Sequence, residues 1–313
     1  MRSDSFWKEV LEKLFKEFMQ FFFPKIYRDI DFSKGYQFLD KEFQQISRKS
    51  KTGKRIVDKL VKVYLQDGQE KWLLIHIEIQ GQKDARFAQR MFEYYYRIFD
   101  KYQRDVLSLA LLTDGDRQYR PGAYLKEFRD WDFSLSFKFP LVKIIDYINY
   151  EFEKAYTTNV FSIIAHAYLK TLETEGDNQR RFDFKRQFIL QLYHLGLNRE
   201  TILAVYRFIE WLMKLPESLD NKLYQELKQI EEQKKMTYIS YAERKGLKKG
   251  RKEGKIEGLR QAIESVLEVK FGAVDYEIPE ALKKIKSLEK LEALLHQAKL
   301  AKSIDEFKGL VSR

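Results

Sequence analysis

The chain has 313 residues, of which 44% are hydrophobic and 34% are charged, which is enough material for two globular domains. It contains no cysteine, which excludes disulfides, thiol catalysis and cysteine-based zinc sites. Its formal net charge of +11 favours a polyanionic partner.

Hydropathy argues against a membrane or secreted protein. No apolar run approaches the length of a membrane span, and the first residues lead into a charged amphipathic helix, unlike a secretory signal. We therefore expect a cytoplasmic protein. The histidines are scattered and lack the spacing of metal ligands: His76, His166, His194 and His296.

The first predicted element is an amphipathic helix over residues 5–22, which Pro24 ends. Its polar face carries acids as well as lysines, which favours a helix that covers a core over one that lies on a membrane. A short helix over residues 36–46 follows and carries Glu42. The basic loop 47–55 comes next and includes Lys54 and Arg55. This loop suits phosphate contact, although a plain solvated loop explains it equally well.

Residues 56–65 and 72–80 are rich in β-branched and aromatic side chains and flank Asp67-Gly68, which predicts a β-hairpin. Alternation in the second arm places an aliphatic row on one face, formed by Leu73, Ile75, Ile77 and Ile79. The other face carries Leu74, His76, Glu78 and Gln80. The hairpin brings Asp58 back towards Glu78. Two carboxylates that converge at one end of a sheet suit a hard divalent cation.

The register of this hairpin decides whether the two carboxylates share a face. A two-residue turn at Asp67-Gly68 would place Asp58 opposite Ile77, on the face away from Glu78. A shared site therefore requires a three- or five-residue loop, or a bulge, between Tyr64 and Leu73.

A helix is predicted over residues 83–104. Basic residues fall on a stripe beside its apolar face and could neutralise phosphates: Arg86, Arg90, Arg97, Lys101 and Arg104. Internal pairing, for instance of Arg90 or Arg97 with Glu93, is the alternative.

The continuous apolar run 106–113 predicts a buried strand, and residues 135–145, with Pro140 inside, predict an interrupted or edge strand. The order of these elements indicates an α+β or α/β fold with a mixed sheet flanked by helices. Predicted helices then follow over residues 152–172, 182–194, 199–213 and 219–235. We expect His166 and His194 to be packed side chains.

Glycine recurs every fourth residue in the basic segment 236–262, at Gly246, Gly250, Gly254 and Gly258. Glycine inside a helix costs about 1 kcal/mol relative to alanine. Close approach of another helix would compensate for this cost, and a flexible basic linker is the alternative. Residues 263–313 predict a small helical domain.

The order Asp58, then Glu78-Ile79-Gln80 on the next strand, resembles the PD-(D/E)XK nuclease core. The wider context is similar to the Rpn family of recombination-promoting nucleases and transposases. The likeness is carried by Phe38-Leu39-Asp40-Lys41-Glu42, by the strand 74–80 and by Arg90-Met91-Phe92-Glu93-Tyr94-Tyr95-Tyr96, and covers about half the chain. Val57 stands where proline is usual, and Gln80 stands where lysine is usual in the superfamily. Val269-Lys270-Phe271-Gly272 resembles part of a domain of unknown function that accompanies such nucleases.

The resemblance implies a restriction-endonuclease-like domain over residues 1–150. A helical region over 151–235, the basic segment 236–262 and the small helical domain 263–313 follow it. It implies a magnesium- or manganese-dependent DNA endonuclease linked to recombination or transposition. The implied catalytic residues are Asp58, Glu78 and Gln80. The implied metal ligands are Asp58, Glu78, the Ile79 carbonyl and Glu42, although Glu42 is equally explained as a solvated surface residue. The implied DNA contacts are Arg90, Arg86, Arg97, Lys54 and Arg55.

Two other functions stay open. The first is an inactive nuclease fold that binds DNA or assembles with other proteins, including a homo-oligomer formed through the helical half. The second is a helical scaffold with no role in nucleic-acid binding.

Overall fold

The structure is a computed structural model that describes residues 3–47, 56–78, 84–234, 241–272, 277–301 and 303–311. The chain forms two compact units, residues 2–238 and residues 239–313. In the part of the chain that the structure describes, no helix is both long and apolar enough to cross a bilayer.

The first unit contains ten α-helices and seven strands among its described residues. The helices are α1 (Ser3–Lys13), α2 (Phe15–Phe22), α3 (Pro24–Asp29), α4 (Asp40–Ser47), α5 (Phe87–Tyr102), α6 (Phe152–Ala155), α7 (Phe161–Glu173), α8 (Asn178–Leu192), α9 (Arg199–Leu212) and α10 (Glu217–Lys234). The strands are β1 (Tyr36–Phe38), β2 (Ile56–Tyr64), β3 (Glu70–Glu78), β4 (Val106–Leu112), β5 (Ala123–Phe128), β6 (Phe133–Lys138) and β7 (Leu141–Lys143).

Five strands form a mixed sheet in the order β1-β2-β3-β4-β7. The pairs β1/β2 and β2/β3 are antiparallel, whereas β3/β4 and β4/β7 are parallel. The fold is therefore mixed α+β, with a helical C-terminal half, as the order of the predicted elements indicated.

The turn of the β2–β3 hairpin is set by Gly68. The Gly68 amide donates to the Leu65 carbonyl (2.9 Å) and the Leu65 amide donates to the Gln69 carbonyl (2.8 Å). Gly68 has a φ of 88°, in the left-handed region that glycine adopts at no steric cost. This is the geometry of a three-residue loop that ends in a bulge.

Helices cover both faces of the sheet. On the face of Leu60 and Leu74, helices α4 and α5 complete a buried cluster with Leu39, Phe43, Trp72, Tyr94, Ile98 and Val106. On the other face α1 packs against β2. The prediction that the first helix covers a core is thus confirmed, although the helix is interrupted at Leu14, whose φ of −129° is not helical.

Pro140 separates two strands that belong to different sheets. Strand β6 pairs with β5 in a two-stranded sheet, and β7 pairs with β4. Rings of the β5–β6 sheet pack on α5, with centroids 5.3 Å apart for Phe92 and Tyr124 and 5.1 Å apart for Tyr95 and Phe137. The predicted interruption at this proline is confirmed.

The helices α6 to α10 lie in the same unit as the sheet. The indole of Trp7 on α1 contacts Phe208 on α9 edge-on, with centroids 4.9 Å apart. The predicted helix 152–172 is broken into α6 and α7. The Asn159 side chain accepts from the Phe161 amide (2.9 Å) and so starts the second helix.

The second unit consists of α11 (Tyr241–Phe271), α12 (Glu277–Lys284), α13 (Leu288–Leu300) and α14 (Ile304–Val311). Their apolar faces share one core. The glycine-periodic segment is helical from Tyr241 onward, within α11. A Cβ at Gly246, Gly250 or Gly258 would meet no other described group within 4 Å, so close packing against another described part of the chain does not explain these glycines.

Candidate active site

The register of β2 and β3 decides which polar positions share a face. Asp58 lies opposite His76, and Ile56 lies opposite Glu78. Because faces alternate along each strand, positions 58, 76 and 78 belong to one face of the sheet. The last pair of the ladder is Tyr64 with Glu70, so five residues, 65–69, separate these partners and include the three-residue loop 66–68. The predicted odd-numbered connection is therefore confirmed.

Asp58 and Glu78 are diagonal neighbours, one step away from direct opposition. Positions related in this way have Cα atoms about 7–8 Å apart. The register also places His76 directly opposite Asp58, a relationship that the sequence reasoning overlooked. Strand alternation could have indicated this relationship, since His76 and Glu78 are two residues apart and therefore lie on the same face of β3.

Cross-strand rows connect these positions with the rest of the sheet. One row runs through Ile56, Glu78, Leu112 and Lys143 on β2, β3, β4 and β7. These residues lie where the parallel strands β3, β4 and β7 end. Glu78 and Lys143 are two strands apart, which corresponds to roughly 10 Å.

Helix α5 crosses the same face, and its first turns lie over the ends of these strands. Phe87 and Met91 pack with Ala110 and Leu112, near the end of β4, whereas Ile98 packs with Val106 at the start of that strand. The N-terminal half of α5 therefore lies above the end of the sheet that carries Glu78.

Arg90, on this half of α5, is buried. Only 6% of its surface is exposed, and its guanidinium forms an ion pair with Asp84. Its Nε and Nη2 atoms are also buried and have no hydrogen-bond partner among the described residues. The helical periodicity predicted that Arg90 belongs to an exposed stripe, and this prediction is wrong. Its Nε and Nη2 atoms remain as donors for an anionic oxygen.

The other basic residues predicted on α5 lie in different environments. Arg86 is exposed, whereas Arg97 is half-exposed with its Nη2 4.0 Å from Glu93 Oε2. Lys101 lies over the Tyr102 ring. Arg104 has its Nε 4.0 Å from Glu70 Oε1. Internal pairing, the alternative to phosphate binding, thus accounts for part of this stripe.

A buried lysine organises the loop that follows β4. The ammonium of Lys143, which is fully buried, donates to Asp114 Oδ1 (2.7 Å) and to the carbonyls of Asp116 (2.5 Å) and Tyr119 (3.0 Å). All three of its protons are therefore used. The Tyr119 hydroxyl in turn donates to the Asp84 carbonyl (3.0 Å). The network links β7 to Asp84, the residue that holds Arg90.

Two further groups at this end of the sheet have shifted pKa values. Hydrogen bonds from the Arg120 guanidinium (2.9 and 2.5 Å) hold the pKa of the Asp146 carboxyl below its usual value. Burial raises the pKa of Tyr168, whose hydroxyl donates to the Thr113 carbonyl (2.9 Å). Both contacts brace the loop that Lys143 organises.

Glu42 lies elsewhere. Its carbonyl accepts a hydrogen bond from the Tyr102 hydroxyl (3.4 Å), and the Tyr102 ring packs on Trp72 with centroids 5.2 Å apart. Trp72 is near the start of β3, whereas Glu78 is its last residue, about 20 Å further along the strand. The backbone of Glu42 is therefore held towards the other end of β3.

Several predicted site residues lie outside the described part of the chain: Lys54, Arg55, Ile79 and Gln80. Among the described residues, no group of three or more histidine, aspartate or glutamate side chains is arranged to hold a metal ion. The oxygen ligands of Asp58 and Glu78 are nevertheless of the type that Mg²⁺ and Mn²⁺ bind.

The sheet order and the helices around it define a mixed α+β protein with a helical C-terminal half. Comparison of the chain with protein-family models, curated proteins and solved structures finds no match in any of the three.

Proposed function

We propose that the protein is a metal-dependent DNA endonuclease that hydrolyses phosphodiesters. The observation that carries this proposal is the register that assigns Asp58 and Glu78 to one face of the sheet, at diagonal positions. Two carboxylates at this separation suit one hard cation between them. The net charge of +11 favours a polyanionic substrate.

The topology supports the same proposal. The chain runs through two antiparallel strands, β2 and β3, then through helix α5, and then into β4, which is parallel to β3. This is the order that the resemblance to the PD-(D/E)XK core implies, with the first acid on β2 and the second on β3. The helix that follows β3 lies over the face that carries both acids.

The proposed ligands are the carboxylates of Asp58 and Glu78 and the Ile79 carbonyl. Because the Glu42 backbone is held at the far end of β3, the proposal leaves Glu42 out. When bound, Mg²⁺ or Mn²⁺ would lower the pKa of a bound water and stabilise charge on the phosphate. Gln80, an amide, would orient that water and cannot supply positive charge itself.

Arg90 is the protein group that would supply positive charge. Asp84 fixes one side of its guanidinium, and the buried Nε and Nη2 are left to donate to a phosphate oxygen. A charge-assisted hydrogen bond in a site that excludes water is stronger than one in solvent. The ion pair with Asp84 would thus position Arg90.

The test is cleavage of supercoiled plasmid with and without Mg²⁺. Asp58→Asn and Glu78→Gln keep the shape of each side chain and should abolish metal-dependent cleavage with unchanged circular dichroism. Glu127→Gln, a change in an exposed carboxylate on β5, is the matched control and should cleave like the wild type. Full cleavage by both site variants would rule out the proposed site. DNA binding by a wild type that never cleaves would favour the inactive nuclease fold.

A further inference from the structure

Helix α11 is longer than the core that it helps to form. Its 31 residues correspond to about 46 Å of helix. Among its described side chains, the members of the second unit's core begin at Ile256 and continue through Ile263 and Leu267. The preceding four turns, Tyr241 to Lys255, include Gly246 and Gly250, which are exposed.

These four turns are strongly basic. Residues 244–252, which we call the basic arm, contain six cationic residues and no acid: Arg244, Lys245, Lys248, Lys249, Arg251 and Lys252. At about 100° per residue, the six positions fall within an arc of about 160°. The glycines and the flanking Glu243 and Glu253 fall outside that arc. One half of the helix is thus cationic throughout.

Helical order in this arm carries a cost that a polyanion would offset. Residues of like charge four positions apart, such as Arg244 with Lys248 and Lys248 with Lys252, destabilise an isolated helix. Interior glycines add to that cost. The next lysine, Lys255, donates to Glu292 of the second unit (2.6 Å) and lies outside the arm. A polyanion along the cationic half would reduce the repulsion between these like charges.

We propose that the basic arm binds the phosphate backbone of duplex DNA. The arm is about 13 Å long, enough to follow several successive phosphates of one strand. The inference rests on the proposed function for the choice of DNA as the polyanion. It adds a contact surface that belongs to the second unit, whereas the candidate active site belongs to the first. Such contacts hold the duplex without reading its sequence.

The experiment measures the affinity of the full chain for a fluorescent duplex by anisotropy, over about 50–200 mM salt, with EDTA present so that cleavage plays no part. The test variant replaces Lys245, Lys248, Lys249 and Lys252 by Gln. The control replaces Lys284, Lys286, Lys290 and Lys299 by Gln, which removes the same charge from the same unit. Glutamine has nearly the helix propensity of lysine, and circular dichroism checks both folds.

We expect the test variant to lose about 3–4 units of the slope of log K against log salt concentration, since each lost phosphate contact removes about 0.9. Its affinity should fall at least tenfold, whereas the control should stay within about twofold of the wild type. Equal slopes for the test variant and the control would overturn the proposal. So would tight binding of the wild type to phosphatidylserine vesicles with no binding to the duplex. Cleavage of plasmid in Mg²⁺, measured separately, reports on the proposed function alone.

Discussion

Asp58 lies directly opposite His76 in the antiparallel pair of β2 and β3, and Glu78 is therefore its diagonal neighbour on the same face. A slip of one residue would move Asp58 to the other face, since faces alternate strictly along a strand. The candidate site therefore depends on the hairpin connection, and in particular on the turn at Gly68.

We predict that Gly68→Ala destabilises the protein by about 1–2 kcal/mol, because its φ of 88° disfavours any residue with a Cβ. Among the described atoms, a Cβ at this position would approach only Lys34 Nζ, at an ordinary 3.7 Å, so the cost comes from the backbone. Urea unfolding measures it. Gly115→Ala is the control, since Gly115 lacks a positive φ and has open space around it, and it should change stability by less than about 0.5 kcal/mol. Equal effects of the two substitutions would contradict the argument.

The buried pair of Lys143 and Asp114 should matter far more for stability than an exposed pair. Lys143→Met leaves the largely buried carboxylate of Asp114 without its cation, which costs about 3–5 kcal/mol. Lys154→Met removes the partner of Glu151 in a pair whose side chains are about three-quarters exposed, and should cost less than about 1 kcal/mol.

The double variant Lys143→Met/Asp114→Asn tests the reason for this difference. It should recover part of the loss, because it no longer buries an unpaired charge. If Lys143→Met is as stable as the wild type, or if the double variant is no more stable than Lys143→Met, the two side chains are not coupled in this way.

Arg90→Lys should keep the fold and lose cleavage. Lysine can still pair with Asp84, but it lacks the planar guanidinium, whose Nε and Nη2 have no hydrogen-bond partner among the described residues. Under the proposed function we expect kcat to fall by at least about tenfold, with a small change in KM, since the lost contact serves the developing charge. Arg129→Lys, in an exposed ion pair with Glu127, is the control and should keep its kcat. Unchanged cleavage by Arg90→Lys would return Arg90 to a structural role.

His166 should make stability depend on pH. Its ring stacks on Phe152, with centroids 4.5 Å apart, and its Nδ1 is hydrogen-bonded to the Tyr156 hydroxyl. Burial lowers the pKa of His166 to about 4; Lys170 adds to this shift, whereas Glu153 and Glu173 oppose it. Burial also raises the pKa of Tyr156, so its hydroxyl stays protonated beside the neutral imidazole.

The direction of the pH dependence follows from the difference in proton binding between the folded and the unfolded chain. Between pH 6.5 and about 4 the unfolded chain protonates His166 and the folded chain does not, so the free energy of unfolding falls as the pH falls through this window. Urea unfolding of His166→Gln at pH 7 and 4.5 should show a shallower loss than the wild type. The prediction that His194 is packed is wrong, since its position is exposed. His194→Gln is therefore the control and should lose stability with falling pH as the wild type does. Identical pH profiles for the wild type and His166→Gln would refute the assignment.

The strands near the candidate site were predictable because each is specified by a pattern within a few consecutive residues. Alternation over residues 72–80 predicted β3, and the continuous apolar run predicted β4. The odd-numbered hairpin connection followed from the requirement that two carboxylates meet. Helical spacing, by contrast, gave the wrong environment for Arg90. It predicts the direction in which a side chain leaves the helix, but not how far neighbouring elements bury that side chain.

Lys143 was missed for a related reason. A single lysine at the end of Leu141-Val142 gives a weak signal, since such a residue usually ends a strand in solvent. Its burial depends on the loop 114–119, whose carbonyls and carboxylate reach it only once β7 pairs with β4.

Local patterns were enough to predict the mixed class of the fold and its longer elements, because alternation, helical spacing, proline and glycine act within a few residues. They were wrong for residues 36–46, predicted as one helix, where strand β1 precedes helix α4. Which charges meet depends on the tertiary fold. Lys59 pairs with Glu12, 47 residues away, and Arg207 pairs with Glu9, 198 residues away. Such partners are set by which helices pack on which faces of the sheet, and packing depends on contacts between parts of the chain that no local pattern connects.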